Sequence, residues 1–105
     1  MNFNQREKAF EDMYAADQEL HFKVRARRNK QAGLWAAEKM GKSAEAANAY
    51  ALELVTAFLE REQLYSRLKT DFTASGVPVP DSELGAKINS FVAESRKYFM
   101  DNLPS

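Results

Sequence analysis

An all-α fold, an antiparallel helical bundle with short loops, is what this sequence predicts, and three observations predict it. Apolar residues recur at three- and four-residue steps along most of the chain. No stretch shows the strict apolar/polar alternation of a half-buried strand, and no internal repeat or low-complexity segment is present. The strong helix breakers gather at Gly41, at Ser75-Gly76 and in the connector Val77-Pro78-Val79-Pro80. A chain of 105 residues is one domain's worth and can bury one modest core.

The first segment, Met1 to Ala16, carries Phe3, Phe10, Met13 and Tyr14 among Arg6, Glu7, Lys8, Glu11 and Asp12. That is a narrow apolar stripe on a short helix, marginal in water on its own. Asp17, Gln18 and Glu19 interrupt the stripe, so two readings are open. Residues 1–16 are an arm that orders on a partner surface, with 17–105 as the bundle domain, or they extend the first core helix. Glu19 to Met40 reads as helix, with Leu20, Val24, Gln31 and Trp35 near one stripe and Gly41 as its stop. Gly33 costs about 1 kcal/mol against Ala inside a helix, which points to close approach of a neighbouring helix there. Ser43 is an N-cap for the next helix, whose stripe is Ala47, Tyr50, Ala51, Leu54 and Phe58. The stripe resumes at Tyr65, Leu68 and Phe72, and no Gly or Pro lies between Ser43 and Ser75. Periodicity alone allows one long kinked helix or two helices broken near Glu60 to Glu62. After the proline connector, Asp81 or Ser82 is the expected cap of a last helix with Leu84, Ile88, Phe91, Val92, Ser95 and Phe99 on one face, and the tail from Asp101 should fray.

Composition excludes most chemistry. Hydrophobic residues make up 45% and charged residues 29%, the balance of a water-soluble globular protein. No apolar run approaches the ~20 residues of a membrane helix, so direct membrane insertion is not expected and a cytoplasmic location is. There are no cysteines and one histidine, His21, which leaves neither thiolates nor an imidazole cluster for a metal. No Gly-rich loop follows a strand and no nucleophile has a base at motif spacing, so an enzyme is not expected and no cofactor is required. Net charge is zero, but through Lys42 nine Lys and Arg face six Asp and Glu. A local basic patch on a balanced chain fits an acidic partner surface or an anionic ligand, and not nucleic acid.

That patch is Lys23, Arg25, Arg27, Arg28 and Lys30, five cations in eight residues. One reading makes it a solvated face paired with Glu19 and with acids on neighbouring helices. The other makes it an anion site in which Arg27 and Arg28 fork onto phosphate oxygens while Trp35 stacks a base. Helical geometry sends these side chains in different directions, so only some of them can converge on one ligand.

Read together, QREKAFEDMYAADQELHFKVRARRNKQAGLWAAEKMG resembles the inhibitory zeta subunits of alphaproteobacterial F-type ATP synthases. The similarity is densest over the first 41 residues, including Phe3, Arg6, Glu7, Phe10, Glu11, Arg27, Arg28, Asn29, Gly33 and Trp35, and continues through Tyr50, Asp71, Phe72 and Gly76. The resemblance implies an antiparallel four-helix bundle with a flexible or marginally helical N-terminal arm. It also implies an activity: a regulatory subunit whose arm enters a catalytic interface between the alpha and beta subunits near gamma and blocks ATP hydrolysis. The arm residues so implicated are Phe3, Arg6, Glu7, Lys8, Phe10, Glu11 and Tyr14. A weak ATP or ADP ligand is implied as well, for which Lys23, Arg27, Arg28, Asn29 and Trp35 are the candidates; an adenine-nucleotide-binding bundle with little inhibition is the alternative. The free protein is expected to be a monomer, peripheral to the inner membrane only when bound to the synthase. Three departures stand out. Asn4 and Gln5 occupy positions where acids are common in the family, Arg25 stands where glutamate is common, and the glycine-containing loop between helices two and three is shortened to about Leu59 to Glu62. A break there is expected all the same, because four short helices close a bundle better than one of about 45 Å.

Overall fold

The computed structural model describes residues 3–102, with side chains from residue 18 onward. Four helices follow in order: α1 (Phe3–Lys39), α2 (Ala44–Thr56), α3 (Arg61–Ala74) and α4 (Asp81–Asp101). α1 is the axis on which α2 and α4 pack, and α3 leans mainly on α4. Both α2 and α4 run antiparallel to α1. Lys39 pairs with Glu83 at one end of the α1–α4 seam, and Arg27 donates to Ser95 near the other.

The packed half of α1 buries Val24, Arg28, Asn29, Ala32, Gly33, Ala36 and Ala37, a stripe at four-, one- and three-residue steps that follows the helical period. This corrects the expected stripe: Val24 is buried, but Leu20, Gln31 and Trp35 are only half-buried. Small residues line α1 because α2 lies against it closely. A Cβ built on Gly33 would stand 2.8 Å from the Ala51 backbone Cα, so Gly33→Ala should gain about 1 kcal/mol of helix propensity and lose more to overpacking. A net loss of about 1–2 kcal/mol by urea denaturation is expected, within the ~1–3 kcal/mol cost of overpacking, whereas a surface glycine would show a gain. Around the alanines sit Leu54, Leu64, Leu68, Leu84 and Ile88, all fully buried, each contributing roughly 1.5–3 kcal/mol of burial. Trp35 caps this core between Phe72 and Phe91, at ring distances of 5.6 and 6.2 Å.

The ends have local causes. Gly41 takes φ 76°, with Gly41 N–H on Glu38 O and Lys42 N–H on Ala37 O, both 3.0 Å, the paired closure that a left-handed residue permits. Gly76 closes α3 in the same way on Thr73 and Phe72. Ser43 caps α2 as expected, its hydroxyl accepting from Ala46 N–H. α4 departs from expectation: it starts at Asp81 behind Pro80, with no side-chain cap, and Asp81 pairs with Lys69 instead.

The α2–α3 break is real and has neither Gly nor Pro. Phe58 sits there at φ 55°, a conformation that costs a side-chain-bearing residue roughly 1–2 kcal/mol. Phe58 therefore does not complete the buried stripe of α2; its ring is exposed. Glu60 begins the next helix, its N–H donating to Gln63 Oε1 at 2.9 Å.

On the far side of α2, the Tyr50 hydroxyl donates to Asp71, which Arg67 also holds at 2.8 Å. Burial, and then the Asp71 acceptor, push the Tyr50 pKa well above its ordinary 10.0. A proton held more tightly in the folded than in the unfolded state stabilises the fold fully below pH 10 and loses that contribution as pH rises beyond it. Tyr50→Phe should therefore flatten the fall of stability as pH rises from 10 to about 11, measured against the intact chain by urea midpoints.

Candidate functional site: the arm-bearing end of the bundle

α1 has 37 residues and α4, the longest of its partners, has 21; at 1.5 Å per residue these span about 55 and 32 Å. The molecule measures 61 × 26 × 22 Å. Register shows which end of α1 is left over. Arg27 packs its guanidinium 4.4 Å from the Tyr98 ring centroid, so the last turn of α4 stands beside residues 22–24. The α2–α3 turn reaches the same level, where the Phe58 ring meets Phe22 at 5.0 Å and Glu60 pairs with Arg25. Helix upstream of about residue 20 therefore outruns every other element. The candidate arm residues Phe3, Arg6, Glu7, Lys8, Phe10, Glu11 and Tyr14 belong to this helix, and their side chains lie outside the described residues. The backbone passes through Asp17 without a break.

At the base of the projecting helix, the basic run divides by depth. Asn29 is 1% exposed and Arg28 8%. Asn29 Nδ2 donates to Leu59 O at 3.1 Å and Leu54 O at 3.4 Å, and Arg28 donates to Leu59 O at 3.0 Å and to Asn29 Oδ1 at 3.1 Å. Together they form a latch that satisfies carbonyls left open where α2 ends. Burial, and next the neighbouring Arg25, lower the Arg28 pKa, although a guanidinium stays charged. Arg28 Nε and Nη2 and Asn29 Nδ2 are thus engaged within the fold, and Arg28 also lines the cleft beside Phe22. Lys23 forms an i,i+4 pair with Glu19 at 3.1 Å. Trp35 stands about two turns further along α1, flanked by Lys39 and Lys87 at 5.7 and 5.9 Å, and lines neither cleft beside the patch. Of the five nucleotide candidates, Lys23 and Arg27 share one surface.

That surface is a pair of clefts with Phe22 as the common wall. One, of about 440 Å³, has Arg25, Arg28, Arg96 and Glu60 in its lining; the other, of about 400 Å³, has Lys23, Arg27, Lys30, Tyr98 and Phe99. Phe22, Phe58 and Tyr98 are 50%, 43% and 48% exposed, an apolar centre inside a cationic border. Sequence reasoning placed Phe58 on the stripe of α2 and gave Phe22 and Tyr98 no role, so it did not bring the three together. Tyr98 and Phe58 fall at the ends of α4 and α2, and Phe22 lies at the level on α1 where those two elements stop. Among the described residues no group of three or more His, Cys, Asp or Glu could hold a metal ion, and no helix is long and apolar enough to cross a membrane.

Comparison with known proteins agrees with this architecture. A protein structure solved in solution by NMR is 37% identical, with a TM-score of 0.64 over 80% of this chain and 99% of the other. A comparison with curated proteins finds no match. The profile of the ATPase inhibitor subunit zeta family matches residues 1–98, nearly the whole chain including the projecting helix, and the chain belongs to that family of regulatory, non-catalytic inhibitor subunits.

Proposed function

We propose that this protein inhibits ATP hydrolysis by the F-type ATP synthase, inserting the first sixteen or so residues of α1 into a catalytic interface between the alpha and beta subunits near gamma. The observation that supports this reading most directly is the overhang of α1, a helix that continues about 25 Å past the last element able to cover it, at 1.5 Å per residue. Its stripe of Phe3, Phe10 and Tyr14, bordered by Arg6, Glu7, Lys8 and Glu11, suits helix-in-groove recognition, where buried aromatics offset the entropy of ordering. A wedge of this kind stops a rotary cycle sterically and needs no catalytic group or cofactor. The bundle serves as a handle, monomeric when free and peripheral to the membrane when the arm is engaged, in the cytoplasm.

A second reading, an adenine-nucleotide-responsive bundle, draws on Lys23, Arg27 and Lys30 converging beside Tyr98 and Phe99. Titrating ATP while following backbone amide shifts separates the two, since a nucleotide site would move signals around Arg27 and Tyr98 together. For the inhibitor reading, the test is ATPase activity of purified synthase with increasing amounts of the intact chain. Hydrolysis should fall to a plateau at saturating protein; activity unchanged at micromolar protein sinks the reading.

A further inference from the structure

The arm is one contact; the end of the bundle from which it springs has the makings of another. Among the described residues the two clefts astride Phe22 have six cations in their lining, Lys23, Arg25, Arg27, Lys30, Arg96 and the latched Arg28, against one carboxylate, Glu60. Glu60 is already paired with Arg25, and Lys23 with Glu19. Arg27, Lys30 and Arg96 take part in no ion pair among the described residues. Arg25 Nε is buried without a hydrogen-bond partner, a state a protein normally avoids. Inside this border Phe22, Phe58 and Tyr98 lie about half exposed, Phe58 against Phe22 and Tyr98 across the same cleft, so three of the exposed apolar side chains gather at one end of the bundle.

An apolar centre with a ring of one charge is the layout of a protein interface, in which aromatic anchors carry affinity and the charged rim sets orientation and encounter rate. We infer that the arm-bearing end of the bundle, centred on Phe22, Phe58 and Tyr98, is a second docking surface for a carboxylate-bordered apolar patch on the same ATPase head that receives the arm. The inference rests on the inhibitor reading, and continuity selects this occupant. A single unbroken helix joins the arm to the platform, so an arm seated in the head brings the clefts against the surface around its entry. A carboxylate of that surface would supply the charge these cations lack.

The test uses the intact chain and three variants, Lys30→Glu with Arg96→Glu, Phe22→Ala, and Lys97→Glu as an off-site control of like charge. Lys30 and Arg96 form no hydrogen bond or ion pair among the described residues, so their reversal should leave the amide spectrum and the urea midpoint unchanged. The half-inhibitory concentration on purified synthase is expected to rise at least tenfold for the double reversal, with a flatter salt dependence between 50 and 300 mM, and several-fold for Phe22→Ala; Lys97→Glu should change it less than twofold. An intact chain that inhibits, with both platform variants inhibiting equally well, overturns the second surface and leaves the arm standing. An intact chain that does not inhibit removes both. Two further arms read the other occupants: co-sedimentation with phosphatidylglycerol vesicles abolished by the double reversal, or ATP shifting the Phe22 and Tyr98 signals at micromolar concentration, with inhibition unaffected in either case, would reassign the surface to lipid or nucleotide and overturn the inference.

Discussion

Asn29→Ala is expected to destabilise the bundle by about 3 kcal/mol, as a buried polar anchor whose partners would be left unpaired. The Asn29 side chain is held in three hydrogen bonds, two given to Leu54 O and Leu59 O and one accepted from Arg28. Each is worth about 1 kcal/mol net, and an abandoned buried partner costs roughly 1–3 kcal/mol more. The loss does not stop at the bonds. Leu59 O is the carbonyl by which Arg28 and Asn29 of α1 hold a turn containing Phe58 at φ 55°, and without Asn29 the strained residue is held by Arg28 and by the Phe22 and Arg25 contacts alone. Asn29→Asp sharpens the reading, because it keeps an acceptor for Arg28 but loses both donations to carbonyls. Urea denaturation of the three proteins should therefore place both variants well below the parent. A loss under about 1 kcal/mol for Asn29→Ala would mean that water replaces the latch and that the turn is set by other contacts.

The same latch explains what could and could not be read from the sequence. Both glycine terminators, the Ser43 cap and the apolar face of α4 depend on residues near one another in the chain, and local pattern carries them; the close approach at Gly33 was signalled by the glycine itself, though its partner Ala51 was not. The α2–α3 break does not. Between Ser43 and Ser75 nothing local forbids a continuous helix apart from a Glu60-to-Gln63 capping pair, and what ends α2 is a pair of side chains about 30 residues upstream. The part of Arg28 in the latch was hidden for a related reason. A guanidinium in a basic run looks solvent-facing until its donors find buried carbonyls, and only the folded turn supplies them. Trp35 shows the converse: its neighbours in sequence say nothing of Phe72 and Phe91, the two rings from other helices against which it packs. The narrow stripe of residues 3–14 was legible, but the length of α1 beyond the bundle became measurable only when α4 and the α2–α3 turn fixed where the covered part of α1 begins.

Removing residues 1–16 is expected to weaken inhibition of ATP hydrolysis at least a hundredfold while leaving a cooperatively unfolding bundle. The folding half of this prediction follows from register. Among the described side chains the buried stripe of α1 starts at Val24, the turn and the end of α4 stand at residues 22–27, and the deletion stops short of the Glu19–Lys23 pair. The functional half follows from the overhang, since a bundle 26 × 22 Å across has no other element slim enough to enter a subunit interface; a bare helix is about 10–12 Å wide with its side chains. A sixteen-residue peptide of the arm should also inhibit poorly, because an isolated helix of that length is marginal in water and loses the template that the packed half of α1 provides. If the platform around Phe22 is a contact in its own right, the truncated chain should still bind the synthase weakly and, at high concentration, restore hydrolysis by competing with the intact protein. Inhibition by the truncated chain equal to that of the intact one would show that the overhang is not the working part.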